Sequence, residues 1–169
     1  MTILATVGGK YEQDEVVKHG NDLATAFDED LVVLHIMEQE QFKELRGRTE
    51  IKSPIHVPVG DDTAGLPYVE SQQREKPYNL EDAVSDACGV AQECISRTLS
   101  GEDQSRITIR GRVGSPADEI IAEARKIEPR YICVGGRKRS AVGKAVFGST
   151  AQSVILESDY PVVTSIRSE

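Results

Sequence analysis

The sequence predicts an α/β fold: an open, five-stranded parallel sheet with helices on both faces, built as one domain over residues 1–169. Two observations carry this reading. Short β-branched apolar runs recur along the chain, and segments with helical periodicity separate them. Strands that alternate with helices of such length need crossovers, and crossovers make the strands parallel and cover both faces of the sheet. A third observation is size: a domain of this length buries about 70% of the surface its unfolded chain exposes, enough for one core.

The elements follow in order. "TILATV" (Thr2–Val7) is a buried strand closed by Gly8-Gly9. Over 11–27 apolar residues return at helical spacing through Val16, Val17, Gly20, Leu23, Ala24 and Phe27. Acidic Glu12, Asp14 and Glu15 sit in its first turns, where the helix dipole favours them. "DLVVLHIM" (30–37) has the continuous apolar character of a strand buried on both faces. Regularity then stops. Residues 38–79 hold more than half of the prolines, with glycines and charged pairs, and read as a long irregular insertion with at most a helical turn at 40–45. Connections of that length are uncommon in compact domains unless functional or mobile.

A helix over 80–99 restores the period through Ala83, Val84, Ala87, Val90, Ala91, Cys94, Ile95 and Leu99. "RITIRGRV" (106–113) alternates apolar and polar residues, which places it near a sheet edge or gives it one wet face. "GSPADEIIAEARKI" is a helix with Ser115 as N-cap, Pro116 at its first position, and Asp118 and Glu119 in the first turn. "RYICVGG" is the fourth strand, "GSTAQSVILES" the last helix and "PVVTSI" (161–166) the last strand.

Composition excludes several function classes. A net charge of −8, from 28 acidic and 20 basic residues, opposes nonspecific nucleic-acid binding, so no nucleic-acid partner is expected. No apolar run approaches the ~20 residues of a membrane span. "MTILATVGG" lacks the charged flank and long apolar stretch of a signal peptide, so the expected location is cytoplasmic, with no membrane partner. The cysteines Cys88, Cys94 and Cys133 form no C-x-x-C pair, and neither a disulfide nor a metal site is expected. Cys133 reads as a buried small hydrophobe and His35 as a satisfied strand-end residue.

Ligands in open α/β sheets bind beyond the carboxyl ends of the strands, where strand order reverses. Three turns stand at such ends: Val7-Gly8-Gly9, His35-Ile36-Met37 and Gly135-Gly136-Arg137. "VGGRKRSAVGKAVFGST" (134–150) leads from the fourth strand to the helix that opens at Gly148. Glycine, serine and threonine at a helix start offer free amides, hydroxyls and the positive dipole end, which together suit a phosphate. The cations Arg137, Lys138, Arg139 and Lys144 could neutralise phosphate at about 1.5–3 kcal/mol per charged hydrogen bond, or simply form a solvated basic loop. Two standard motifs are absent. A P-loop would need glycine at Lys138 and Ser or Thr at Ala145, and "GGKYEQ" is not the dinucleotide fingerprint.

With these residues in view, the chain resembles the universal stress protein family over nearly its whole length. The resemblance lies in "ILATV…LVVLHIME", "GRVGSPADEIIAEARK" and, most specifically, "VGGRKRSAVGKAVFGSTAQSVILESDYPVV". Members of its ATP-binding branch carry Gly, two residues, Gly, nine residues, then Gly-Ser or Gly-Thr. Gly135 matches the first glycine and Gly148-Ser149 the last pair, while Lys138 replaces the middle one. The Asp usual near the adenine is absent from Val7-Gly8-Gly9. The resemblance implies a Rossmann-like fold of the adenine nucleotide alpha hydrolase type. It also implies a dimeric stress-response module whose ligand is ATP or a related adenine nucleotide, with Mg²⁺ as an optional companion. The nucleotide-binding residues expected on this basis are Thr6, Val7, Gly8, Ile36, Val134, Gly135, Gly136, Arg137, Lys138, Gly148, Ser149 and Thr150; no catalytic or metal-binding residue is assigned. Residues 137–148 contain no Asp, Glu or His, which favours a binding module over a slow ATP phosphohydrolase or nucleotidyl transferase. The remaining alternative is a nucleotide-free stress protein that acts through protein contacts.

The last strand is expected at a sheet edge, with nothing charged in Val162, Val163, Thr164, Ser165 or Ile166 to blunt it. Pairing with its own copy across a two-fold axis would satisfy that edge, which predicts a homodimer through 161–166 that Val163→Pro splits or unfolds.

Overall fold

In the computed structural model the described residues are 1–8, 14–50, 77–99, 104–136 and 147–166. Their elements run β1 (Thr2–Val7), α1 (Asp14–Phe27), β2 (Asp30–Glu38), α2 (Gln39–Glu50), α3 (Leu80–Thr98), β3 (Ile107–Gly114), α4 (Pro116–Ile127), β4 (Tyr131–Gly136), α5 (Ser149–Glu157) and β5 (Val162–Ile166). The five strands form one parallel sheet in the order β3-β2-β1-β4-β5. The outer strands are β3, read from sequence as half-wet or near an edge, and β5, expected at an edge.

Side-chain alternation along the strands divides the core into two layers. On one face Ile3, Ala5, Val7, Leu31, Val33 and Cys133 pack with Val16 and Val17 of α1 and with Ala91 and Ile95 of α3. On the other, Leu4, Val32, Leu34, Ile36, Ile132 and Val134 pack with Ile120 and Ala124 of α4 and Val154 of α5. Cys133 is fully buried, as its apolar run suggests, and burial pushes its thiol up to about 12. It is therefore a packing residue rather than a nucleophile.

Helix starts follow local chemistry. Asn79 Oδ1 accepts from the amides of Glu81 (2.8 Å) and Asp82 (3.1 Å), and Asp82 Oδ2 accepts from the Asn79 amide (2.9 Å), closing a capping box on α3. Ser115 occupies the N-cap of α4 but makes no side-chain cap bond, leaving Pro116 and the acidic first turn as the start signal.

The insertion departs from expectation. Gln39–Glu50 is a three-turn helix directly after β2, where sequence suggested one turn. Its apolar content is nearly confined to Phe42 and Leu45, so the period is too sparse to read. These two pack beside Met37, Ala83, Ala87, Tyr78 and Val113 in a small third cluster. Residues 51–76 lie outside the described residues.

One buried charge stands in the α4 layer. Glu123 is 0% exposed, and its Oε2 pairs with Nη2 of Arg112, whose Nη1 reaches Glu119 Oε2 at 3.1 Å. Arg110 Nε lies 3.1 Å from Glu123 Oε1, close enough for an ion pair but misaligned for a hydrogen bond. Both arginines project from β3 and are partly exposed.

Candidate functional site

Strand order decides where a ligand can enter. From β1 the chain crosses to β2 on one side, and β4 joins β1 on the other, so connections leave the carboxyl ends of β1 and β4 in opposite directions. That divergence opens a cleft of about 630 Å³. Thr6 Oγ1 donates to the Cys133 carbonyl at 3.2 Å and ties the two strands together just below it.

The cleft gathers ten of the twelve residues singled out from sequence. β1 and its turn supply Thr6, Val7 and Gly8, and β2 supplies Ile36. β4 supplies Val134, Gly135 and Gly136, and the start of α5 supplies Gly148, Ser149 and Thr150. Arg137 and Lys138 lie outside the described residues, as do Arg139 and Lys144. The cleft also takes in His35, Glu38, Gln41, Val90, Pro116 and Ala151, which sequence reading did not assign to it.

Gly148 is the N-cap of α5, with φ −65° and ψ 162° and no side-chain cap bond. Its carbonyl accepts the first helical bond, from the Gln152 amide at 3.0 Å. The amides of the first turn have no acceptor within the helix and sit at the positive dipole end. A Cβ built on Gly148 meets nothing within 4 Å. Neither backbone conformation nor packing among the described residues therefore requires glycine here.

His35 is nearly buried, and its Nδ1 lies 2.8 Å from the Val7 carbonyl. A carbonyl only accepts, so Nδ1 carries the proton and Nε2 is left as an acceptor. Burial lowers the His35 pKa, and the bond to Val7 opposes this in part. The ring is thus neutral near pH 7, a satisfied strand-end histidine that also lines the cleft. Among the described residues, no three His, Cys, Asp or Glu side chains converge as a metal site. No helix among them is long and apolar enough to cross a membrane.

Residues 1–165 match the family model described as "Universal stress protein family". The chain belongs to this family. Stress response protein NhaX of Bacillus subtilis (strain 168) is 28% identical over 97 residues, which cover 57% of this chain and 55% of NhaX. The match thus spans about half the length of that curated relative. Two solved universal stress proteins share the fold. One, in complex with cAMP, is 14% identical with a TM-score of 0.60, and the alignment covers 99% of this chain and 98% of the other. The other, from Archaeoglobus fulgidus in complex with dAMP, is 20% identical with a TM-score of 0.54, covering 97% and 96%. At these identities the likeness establishes the Rossmann-like fold of the universal stress proteins.

Proposed function

We propose that this universal stress protein is a dimeric regulatory module that binds ATP or a related adenine nucleotide in the cleft between β1 and β4. The observation that carries the reading is Gly148. A glycine that neither φ nor packing among the described residues demands stands where free helix amides open on the cleft, and close approach of a phosphate supplies a reason beyond its N-cap position. Gly135 and Gly136 line the same cleft from the end of β4. Ser149 and Thr150 are the hydroxyls that would ligate a Mg²⁺ carried by the phosphates. The relatives solved with cAMP and dAMP support an adenine ligand.

Calorimetric titration with ATP, ADP and AMP tests this directly. A bound nucleotide at 100 times its Kd should also raise stability by about 2.7 kcal/mol. Gly148→Val is expected to weaken binding by about 10–100-fold, since each charge-assisted amide–phosphate bond is worth roughly 1.5–3 kcal/mol. Its Cβ has open space among the described residues, but valine is a poorer N-cap than glycine, so the melting temperature without ligand should fall by only about 2–4 °C. Absence of heat and thermal shift with all three nucleotides would favour a nucleotide-free stress protein.

The dimer is proposed through β5, which among the described residues pairs only with β4 and leaves its other edge unpaired. Here the register corrects the choice of variant. The Ile132 amide donates to the Pro161 carbonyl at 2.9 Å, and alternation along a parallel ladder then turns the Val163 amide inward to β4. Proline at Val163 would damage the sheet itself. The amide of Thr164 faces the open edge, so Thr164→Pro should split the dimer while the monomer stays folded. Sedimentation of the wild type as a concentration-independent monomer would refute the assembly.

A further inference from the structure

The cleft is chemically lopsided. On the β4 side, the start of α5 presents amides, hydroxyls and a positive dipole end. On the β2 side stand Glu38, the last residue of β2, and Gln41 in the first turn of α2. Glu38 is the one carboxylate among the described lining residues, and no lysine or arginine is among them. Among the described residues, neither the Glu38 nor the Gln41 side chain has a hydrogen-bond or ion-pair partner. Both are nevertheless on well-held backbone. Glu38 pairs in register with Gly114 of β3, and α2 is anchored by Phe42, whose ring centroid lies 6.1 Å from that of Tyr78.

Only β1 separates β2 from β4, so the two sides of the cleft are about 10 Å apart at ~4.8 Å per strand. A carboxylate repels phosphate and only accepts hydrogen bonds. It therefore suits the uncharged donors of a ligand whose phosphates lie toward α5. In doubly wound sheets a carboxylate following the glycine turn by about 20 residues takes this part with ribose hydroxyls.

We infer that Glu38, assisted by Gln41, is the acceptor that reads the donor groups at the nucleoside end of the bound nucleotide and sets which nucleotide is held. The inference rests on the nucleotide reading above. Three donors share this chemistry, the ribose 2′- and 3′-hydroxyls and the exocyclic amine of the base, and 2′-deoxy-ATP, 3′-deoxy-ATP and ITP each remove one.

The test is to titrate ATP, 2′-deoxy-ATP, 3′-deoxy-ATP and ITP into the wild type and into Glu38→Ala. Glu38 is exposed and outside the core clusters, and equal melting temperatures would confirm that both proteins are folded. The wild type should bind ATP about tenfold tighter than at least one analogue, the worth of one hydrogen bond to a charged group. In Glu38→Ala that preference should fall to within about twofold, and the analogue concerned identifies the donor. A preference that survives the substitution overturns the inference, and so does a wild type that treats all four alike. A wild type that binds none of them overturns the nucleotide reading and this inference with it.

Discussion

Gly111→Ala is expected to lower unfolding stability by about 3 kcal/mol, the upper part of the range for overpacking a core. The cause is the approach of α3 to β3. A Cβ on Gly111 would lie 2.4 Å from the Val84 carbonyl oxygen, 2.8 Å from the Cys88 amide nitrogen and 2.9 Å from Cys88 Sγ. Two of these neighbours are backbone atoms in mid-helix, so relief requires moving α3 or β3 as a unit. Gly111 is in register with His35, so a displaced β3 would also disturb a strand that lines the cleft. Gly89 is the internal control. It lies in α3 with nothing within 4 Å of an added Cβ. Gly89→Ala should therefore raise stability by about 0.8–1 kcal/mol through helix propensity. Urea denaturation of the two variants should move the midpoint in opposite directions at equal slope. A Gly111→Ala midpoint at or above that of the wild type would contradict the close packing.

Glu123→Ala is expected to be comparably damaging, about 2–4 kcal/mol. Removing one member of a buried ion pair usually costs about 3–5 kcal/mol, discounted here because Arg110 and Arg112 are partly exposed and can turn to water. The loss combines a cavity under α4 with a guanidinium deprived of its partner. A double-mutant cycle of Glu123→Gln and Arg112→Gln separates these contributions and should show a coupling of about 1–2 kcal/mol. Additive effects would mean that Glu123 contributes only by filling space.

Strands β1, β2 and β4 were readable because each is buried on both faces and so shows an apolar run. Even the edges could be placed, β3 by its alternating pattern and β5 by its position after the last helix. Helix α2 was not readable. Its two anchoring residues, Phe42 and Leu45, meet a cluster made by Met37, Ala83 and Ala87 from two other elements, β2 and α3, and its own sequence is otherwise polar. The cleft was legible where glycine and hydroxyl residues marked it, at Gly8, Gly135, Gly136, Gly148, Ser149 and Thr150. Its β2 wall was legible only at Ile36. Glu38 and Gln41 look like ordinary surface residues until the order β3-β2-β1-β4-β5 sets the end of β2 beside β1. Val90 and Pro116 are brought in by helix packing alone. Periodicity identifies elements but does not specify their order in the sheet.

The bond between Thr6 and the Cys133 carbonyl joins residues 127 positions apart, and it lies under the cleft. On a ribosome, β1 is therefore made long before its second neighbour. At about 5–20 residues per second, roughly 6–26 s separate their synthesis. Until then β1 has one partner at most, and the start of α5 does not yet exist. Closing so large a loop is an entropic barrier that slows folding, and no nucleotide could lower it by binding to a half-made site. A ligand of this cleft would reward only chains whose first and fourth strands had already met, so its concentration would govern the survival of finished molecules rather than the speed at which they are formed.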